Sequence, residues 1–289
     1  MPATVDLTGA ADLHCHFGPD AHRERSVDAL DVARDAAAAG HAAVVLKSHD
    51  YPTAALAAIV DRVVDGVRVF GGICCDREVG GVNPAAVETA LRIGAKIVWL
   101  PTLTSRQDQL NGIGEALGIP GPGLSVVGDD GSLLPETHEV LDLVAAHDAV
   151  LATGHVTAPE HLAVANEFGR RGKVVVTHAM EELAGPNLSV DQCVELADLG
   201  ATIELCALTC LGALATRPPS AIAAAVNAIG AERCTLATDY GQKANVRPAP
   251  GFQDFADALL AEGLDERAIR GMACDNPRRL LGLDAQPAT

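Results

Sequence analysis

The chain has 289 residues, of which 48% are apolar and 20% charged, and its formal net charge at pH 7 is −17. This length fits one large α/β domain or two ordinary ones, and the absence of any run of about 18 apolar residues excludes a membrane-spanning helix. The acidic surface disfavours nucleic acid and anionic lipid as partners, so we expect a small-molecule substrate. The first residues show no basic segment followed by an apolar one, which predicts a cytoplasmic protein without a signal peptide.

The chain alternates short apolar runs with Ala- and Leu-rich helical stretches. The predicted strands are 11–17, 42–49, 68–75, 96–103, 150–155, 173–179, 202–208 and 234–240. The predicted helices are 26–39, 53–64, 83–93, 138–147, 159–170, 190–198, 220–229 and 252–262. Strands that are apolar on both faces and alternate with helices indicate a parallel sheet. Eight such units, with no Gly-x-Gly-x-x-Gly turn after the first strand, favour a closed (β/α)8 TIM barrel over the alternative of an open α/β sheet.

We expect the barrel to form a single domain over residues 1–289. One segment, 104–137, interrupts the alternation after the fourth strand and is rich in Gly and Pro. Within it, residues 124–134 are typical of a small hairpin around Asp130 and Gly131. A loop of this length in a compact domain is usually functional, so we predict a lid over the strand ends.

Residues that can bind a metal stand at the ends of the first two strands, where barrel enzymes carry their chemistry. The first strand ends with His14 and His16, which share one face because side chains alternate along a strand. Two imidazoles on one face can hold one metal ion. The second strand ends with Lys47 and His49 on one face, and Lys47 is one of only four lysines in the chain.

Three later strands end with residues of the same kind. His155 ends the fifth strand, His178 the sixth and Asp239 the eighth. Neutral imidazoles and a carboxylate suit Zn²⁺, Mn²⁺ or Fe²⁺, and the lack of thiolates among them favours a catalytic site. A bound ion lowers the pKa of its water to about 7, and Asp239 would take the proton. A core histidine bonded to the backbone explains any one of these residues, but four at strand ends favour a site.

This pattern resembles the amidohydrolase superfamily of metal-dependent hydrolases over essentially the whole chain. The resemblance rests on Asp-Leu-His-Cys-His at 12–16, on His155, His178 and Asp239, and on Asn-Pro-Arg-Arg-Leu-Leu-Gly-Leu at 276–283. It implies one or two divalent ions, most often zinc, and hydrolysis of amide, ester, lactone or phosphoester bonds. It also implies that His14 and His16 hold the first metal, that His155 and His178 hold the second, and that Asp239 is both ligand and base.

The sequence departs from the superfamily at the ligand that bridges two metals. Dinuclear members usually carry a carboxylated lysine or a glutamate at the end of strand four, but here that strand ends at 98–102 without either. Lys47 offers three alternatives. Its carbamate, an N6-carboxylated lysine, can bridge two metals, its ammonium can bind an anionic substrate, or it can pair with a carboxylate such as Asp76 or Asp239.

Further candidates concern the substrate. His49 either orients the substrate or polarises its carbonyl, or it is a loop histidine bonded to the backbone. The loop cations Arg23, Arg217 and Lys243 are candidates for holding a substrate carboxylate, with solvated surface charge as the alternative reading for each.

The reaction predicted from these residues is attack of a metal-activated water on an amide, cyclic amide, lactone or ester of a small polar substrate, which can carry a carboxylate. Non-oxidative decarboxylation on the same metal frame is the first alternative, and a non-catalytic metal-binding barrel is the second. Since soluble oligomers are most often dimers, we also expect a homodimer or a larger homo-oligomer.

Overall fold

The computed structural model describes residues 4–119 and 121–283. Its eight strands are β1 Ala11–His16, β2 Ala43–Lys47, β3 Arg68–Cys74, β4 Ile97–Trp99, β5 Val150–Ala152, β6 Lys173–Val176, β7 Thr202–Cys206 and β8 Cys234–Ala237. They lie in sequence order in one sheet, and every neighbouring pair is parallel. This is the (β/α)8 TIM barrel that the sequence predicts.

Contacts between β1 and the end of β8 close the barrel. The Asp239 N–H donates to the His14 carbonyl at 2.9 Å, and the His16 N–H donates to the Tyr240 carbonyl at 2.8 Å. The buried Asp12 carboxylate accepts the Thr238 hydroxyl at 2.6 Å and the backbone N–H groups of Thr238 and His14 at 3.1 Å each. The first and last strands are therefore joined beside the residues predicted to bind metal.

The eight predicted helices all form, and five shorter ones join them. The helices are α1 Ala29–Ala38, α2 Ala54–Val63, α3 Pro84–Ile93, α4 Arg106–Leu110, α5 Ile113–Ala116, α6 Pro135–Ala146, α7 Ala158–Phe168, α8 Val190–Asp198, α9 Ala207–Cys210, α10 Pro219–Ile229, α11 Pro248–Ala261, α12 Glu266–Arg270 and α13 Asn276–Leu280. Capping boxes explain several of the starts: Asp28 with Asp31 opens α1, and Ser189 with Gln192 opens α8. None of the described helices is both long and apolar enough to cross a membrane.

Several strands end earlier than predicted. The ladder of β4 stops at Trp99, before Pro101, which has no N–H to donate. The β6 ladder likewise stops at Val176, so His178 lies just beyond its strand. Apolar side chains continue past these points, which explains why the sequence pattern overestimates strand length.

The predicted lid segment 104–137 contains α4, α5 and a small hairpin. Val127 and Leu133 form an antiparallel bridge in this hairpin. Within 104–137, residue 120 lies outside the described residues, as do 1–3 and 284–289 of the expected domain. The role of the segment as a lid and the single-domain organisation stay predictions.

Candidate metal centre at the mouth of the barrel

The first pair of predicted ligands converges on one carboxylate oxygen. His14 Nε2 lies 3.2 Å from Asp239 Oδ1, and His16 Nε2 lies 3.0 Å from the same atom. Ligand atoms of these three residues all lie within 4.8 Å of one another, and all three side chains are buried. The three residues, predicted from the ends of the first and last strands, therefore form one compact group.

The second predicted pair lies directly beside the first. His155 Nε2 and His178 Nε2 are 2.9 Å apart, and both side chains are buried. The imidazole rings of His14 and His178 are separated by 5.8 Å between centroids. The structure thus brings together all four histidines and the aspartate that the sequence singled out.

Local backbone geometry places these side chains at the mouth. Asp239 has φ of 54° and His178 has φ of 25°, a left-handed conformation that non-glycine residues rarely adopt. Gly154, immediately before His155, has φ of 65°, and a Cβ there would meet the carbonyl oxygens of Leu100 and Pro101. Glycine at 154 is therefore required by both its backbone conformation and the lack of space.

Two buried carboxylates that the sequence analysis missed orient histidines from behind. Glu204 Oε1 accepts the His14 Nδ1–H at 2.9 Å, and Asp108 Oδ2 accepts the His155 Nδ1–H at 2.6 Å. A carboxylate that accepts Nδ1–H fixes the tautomer whose Nε2 carries a free lone pair. A signal for Glu204 existed, since it is a charged residue inside the apolar strand β7. Asp108 lies in α4 of the irregular segment, where no periodicity marks it.

Burial and charge keep three of the rim imidazoles neutral. Burial lowers the pKa of His155 to about 3, with the Lys47 charge acting in the same direction, and burial with the neighbouring His155 lowers that of His178 to about 3. Burial also lowers the pKa of His16 well below its usual value. Burial opposes the charged form of His14 as well, but the Asp239 charge raises its pKa to about 8.

This donor set fits a divalent transition metal. His16 Nδ1 and His178 Nδ1 are buried and have no hydrogen-bond partner in the described parts of the chain. The Nε2 atoms of His155 and His178 face each other. Because both rings are neutral and His155 carries its proton on Nδ1, at most one proton lies between these two nitrogens. Neutral imidazoles with one carboxylate suit Zn²⁺, Mn²⁺ or Fe²⁺. We conclude that the residues present fit one or two such ions.

Lys47 lies inside this cluster. Its side chain is 1% exposed, and its Nζ lies 2.9 Å from His14 Nε2. No carboxylate of the described residues lies within ion-pair distance of Nζ, so the pairing considered for Lys47 with Asp76 or Asp239 does not form. An ammonium that is buried without a counterion is energetically costly.

His49 is held by a chain of hydrogen bonds that the sequence analysis did not foresee. The buried Asp76 carboxylate accepts the Thr102 hydroxyl, and His49 Nδ1 lies 2.6 Å from that hydroxyl oxygen. Because the hydroxyl proton is used toward Asp76, His49 must donate its Nδ1–H to Thr102. The lone pair of His49 is then on Nε2. The ring stacks on that of His16 with 4.9 Å between centroids.

The predicted substrate cations separate into two kinds. Arg23 lines the cavity at the mouth, which is also lined by His16, Lys47, His49, His155, His178 and Asp239. Lys243 does not line it and pairs with Glu24 at 2.6 Å. Arg217 does not line it either and pairs with Glu182 at 3.1 Å.

A family model described as "Family of unknown function (DUF6282)" matches residues 9–204, more than half of the chain. The chain belongs to this family. No curated protein matches its sequence.

Solved structures share the fold of this DUF6282 member. An amidohydrolase from Pseudomonas aeruginosa is 13% identical, with 95% of each chain covered and a TM-score of 0.62. The dipeptidase AC, a metallo peptidase, is 14% identical, with 95% of this chain and 98% of that chain covered and a TM-score of 0.64. A 2,6-dihydroxybenzoate decarboxylase is 13% identical, with 98% and 100% covered and a TM-score of 0.58. At these identities the likeness shows the fold alone, and for the fold it confirms the resemblance to amidohydrolases.

Proposed function

We propose that this DUF6282 member is a metal-dependent hydrolase of the amidohydrolase type, acting on an amide, cyclic amide, lactone or ester of a small polar substrate. The observation that carries the proposal is the convergence of His14 Nε2 and His16 Nε2 on Asp239 Oδ1, at 3.2 and 3.0 Å. The carboxylate of Glu204 behind His14 supports it, because metal-ligating histidines characteristically donate their second N–H to such a group. The hydrolases and peptidase among proteins of similar fold are consistent with it.

His14, His16 and Asp239 would hold the first ion, and His155 and His178 the second. When bound, such an ion lowers the pKa of water to about 7 and polarises a substrate carbonyl. Asp239 then accepts the proton of the attacking water on a carboxylate oxygen and donates it to the leaving group. Burial raises the pKa of Asp239, but the charge of protonated His14 and the hydrogen bonds from His14 and His16 outweigh it and hold this pKa well below its usual range. With a cation bound, His14 would lose its proton, and the ionised carboxylate would likewise be favoured.

The buried, unpaired position of Lys47 favours its N6-carboxylated form as the ligand between the two metal positions. The neutral amine would add CO₂ and release one proton, which converts the side chain into an anion with two oxygen donors. That anion would lie beside His14, in the cavity that His155 and His178 also line. An anion at this point complements two cations, whereas an ammonium opposes them.

A non-oxidative decarboxylase is the second candidate, and the same residue favours it. If Lys47 stays an ammonium, it is a cation in the cavity without a carboxylate partner and is free to hold a substrate carboxylate. One protein of similar fold is a decarboxylase bound to 2,6-dihydroxybenzoate. Release of CO₂ from a carboxylated ring, with one ion per chain, would support this candidate over the hydrolase.

Removal and return of the metal test the proposal. The protein is stripped with dipicolinate, reloaded with Zn²⁺ or Mn²⁺ and assayed on a panel of amides, lactones and esters. We expect activity only in the reloaded protein, and a loss of at least about a hundredfold in Asp239→Asn, which keeps an oxygen ligand but loses the proton acceptor. His147→Ala, at an exposed histidine bonded to the Leu143 carbonyl, is the matched control and should be unaffected. Activity that survives stripping, or that survives in Asp239→Asn, would contradict the proposal.

A further inference from the structure

The cavity at the mouth of the barrel is lined by charged groups that the proposed chemistry does not use. The cavity measures about 90 Å³, and Glu181, Arg23 and Arg25 line it beside His16, His155, His178 and Asp239. Its wall also includes His22 and Gln242 and the apolar side chains of Leu103, Ile113, Leu183, Ala184, Leu208 and Leu214. The cavity therefore combines an acidic group, basic groups and an apolar wall.

Glu181 has a buried oxygen that lacks a donor. Its side chain lies in the turn after β6 and is 1% exposed. Oε1 accepts the backbone N–H groups of Glu182 and Leu183 at 2.9 Å each, while Oε2 has no hydrogen-bond partner among the described residues. Burial raises the pKa of this carboxyl, and the backbone N–H of Leu183 acts in the opposite direction. The hydroxyl of Thr209 lies near enough to lower the pKa as well, but it makes no hydrogen bond to Oε2. A buried acceptor without a donor is costly, so a donor that arrives with the ligand would be favoured.

The adjacent residue, Glu182, is also a glutamate but has different surroundings. Glu182 does not line the cavity, its side chain is 41% exposed, and it pairs with Arg217 at 3.1 Å. Two glutamates in consecutive positions thus have different surroundings, since one is neutralised at the surface and the other is unsatisfied inside the cavity.

Arg23 is exposed at the cavity and differs from the other cations near the mouth in having no ion pair among the described residues. Arg25 pairs with Asp20 at 2.6 Å, and Lys243 pairs with Glu24 at 2.6 Å. Arg23 lines the cavity and forms no ion pair with the residues that the structure describes. A guanidinium without a counterion beside a cavity suits a carboxylate, which it can bind through two N–H donors.

We propose that the substrate is an amphoteric amide, with an amino group that donates to Glu181 and a carboxylate that binds Arg23. This inference rests on the proposed hydrolase function and names its substrate class. The apolar wall then accommodates an aliphatic side chain. In the reaction the oxygen of water bonds to the amide carbonyl carbon, the C–N bond breaks, and the proton from water passes to the leaving nitrogen.

Three matched amides test this inference in the metal-loaded protein. Alanyl-leucine carries both charged groups, N-propionyl-leucine lacks only the amine, and alanine 3-methylbutylamide lacks only the carboxylate. We expect kcat/KM for alanyl-leucine to exceed the other two by about ten- to a hundredfold, because a hydrogen bond to a charged group is lost in each. Glu181→Gln keeps an oxygen for the two backbone N–H groups, so it should lower kcat/KM for alanyl-leucine much more than for N-propionyl-leucine and thereby remove the preference for the amine.

Matched variants distinguish the loss of a binding charge from a general loss of structure. Glu182→Gln should leave all three rates and the metal content unchanged. Arg23→Gln should lower kcat/KM for the two carboxylate-bearing amides more than for alanine 3-methylbutylamide, and Lys243→Gln is its control. Equal rates for the three amides, or an equal loss for all three in Glu181→Gln, would overturn the inference. If none is hydrolysed while a lactone or ester is, the substrate class is wrong and the hydrolase proposal stands. If metal loading confers no hydrolysis of any compound, both are wrong.

Discussion

Removing the negative charge behind His14 should weaken metal binding by a measurable amount. Glu204 is 2% exposed, and its Oε1 accepts both the His14 Nδ1–H at 2.9 Å and the His178 backbone N–H at 3.0 Å. Glu204→Gln keeps an oxygen that can accept both bonds, so it removes charge while preserving shape. Glu204→Ala removes the acceptor altogether and frees the His14 ring to rotate.

The expected magnitude follows from the two kinds of hydrogen bond. A bond to a charged acceptor contributes about 1.5–3 kcal/mol and a neutral one about 0.5–1.5 kcal/mol. Their difference of about 1–1.5 kcal/mol corresponds to a roughly five- to tenfold loss of affinity in Glu204→Gln. Loss of the whole partner in Glu204→Ala should reach about a hundredfold, at the upper end for residues that support metal ligands.

Competition with a chromophoric chelator at fixed pH measures the apparent Zn²⁺ affinity of each variant. Glu160→Gln is the matched control, since this buried glutamate bonds Ser125, Val126 and Thr157 instead of an imidazole. Its affinity should equal that of the unmodified protein. Affinities of both Glu204 variants within twofold of the unmodified protein would refute the assigned role of Glu204.

Three further variants test other contacts. Thr102→Val breaks the link between Asp76 and His49, so kcat should fall at least about tenfold at unchanged metal content. Thr102→Ser should restore kcat. A kcat in Thr102→Val equal to that of the unmodified protein would exclude a role for this link. Asp12→Ala leaves the Thr238 hydroxyl and two backbone N–H groups without their acceptor. The free energy of unfolding, measured with urea, should fall by about 2–4 kcal/mol. A fall of less than about 1 kcal/mol would show that these bonds do not secure barrel closure. Gly154→Ala introduces a Cβ against backbone carbonyls at positive φ, so its melting temperature should fall, and an unchanged value would contradict the close approach.

The sequence was sufficient to predict the barrel and to pick out side chains that gather at its mouth. Strand and helix periods revealed the alternation, and His14, His16, His155, His178 and Asp239 were recognisable because each stands at the end of an apolar run. These residues can be recognised by their position, because a polar residue at the end of a buried strand is seldom needed for packing.

The residues that contact these side chains from behind could not be predicted from the sequence in the same way. Asp76, Asp108 and Thr102 act through contacts between residues 26 to 53 positions apart, which no local pattern encodes. Glu181 could be distinguished from Glu182 only once folding had buried one and exposed the other. The paired states of Arg217 and Lys243 depend on loop packing in the same way, so charge alone suggested a role at the cavity that their positions do not support.

Anomalous X-ray diffraction at the zinc absorption edge, on crystals of the Zn²⁺-loaded protein, tests the metal centre most directly. We expect a peak bounded by His14, His16 and Asp239, and a second beside His155 and His178 if Lys47 is carboxylated. Electron density at Lys47 Nζ should then show a planar extension of three atoms. Zinc bound instead at the neighbouring group of His49, Cys74 and Asp76, or no ordered zinc at the mouth of the barrel, would contradict the assignment.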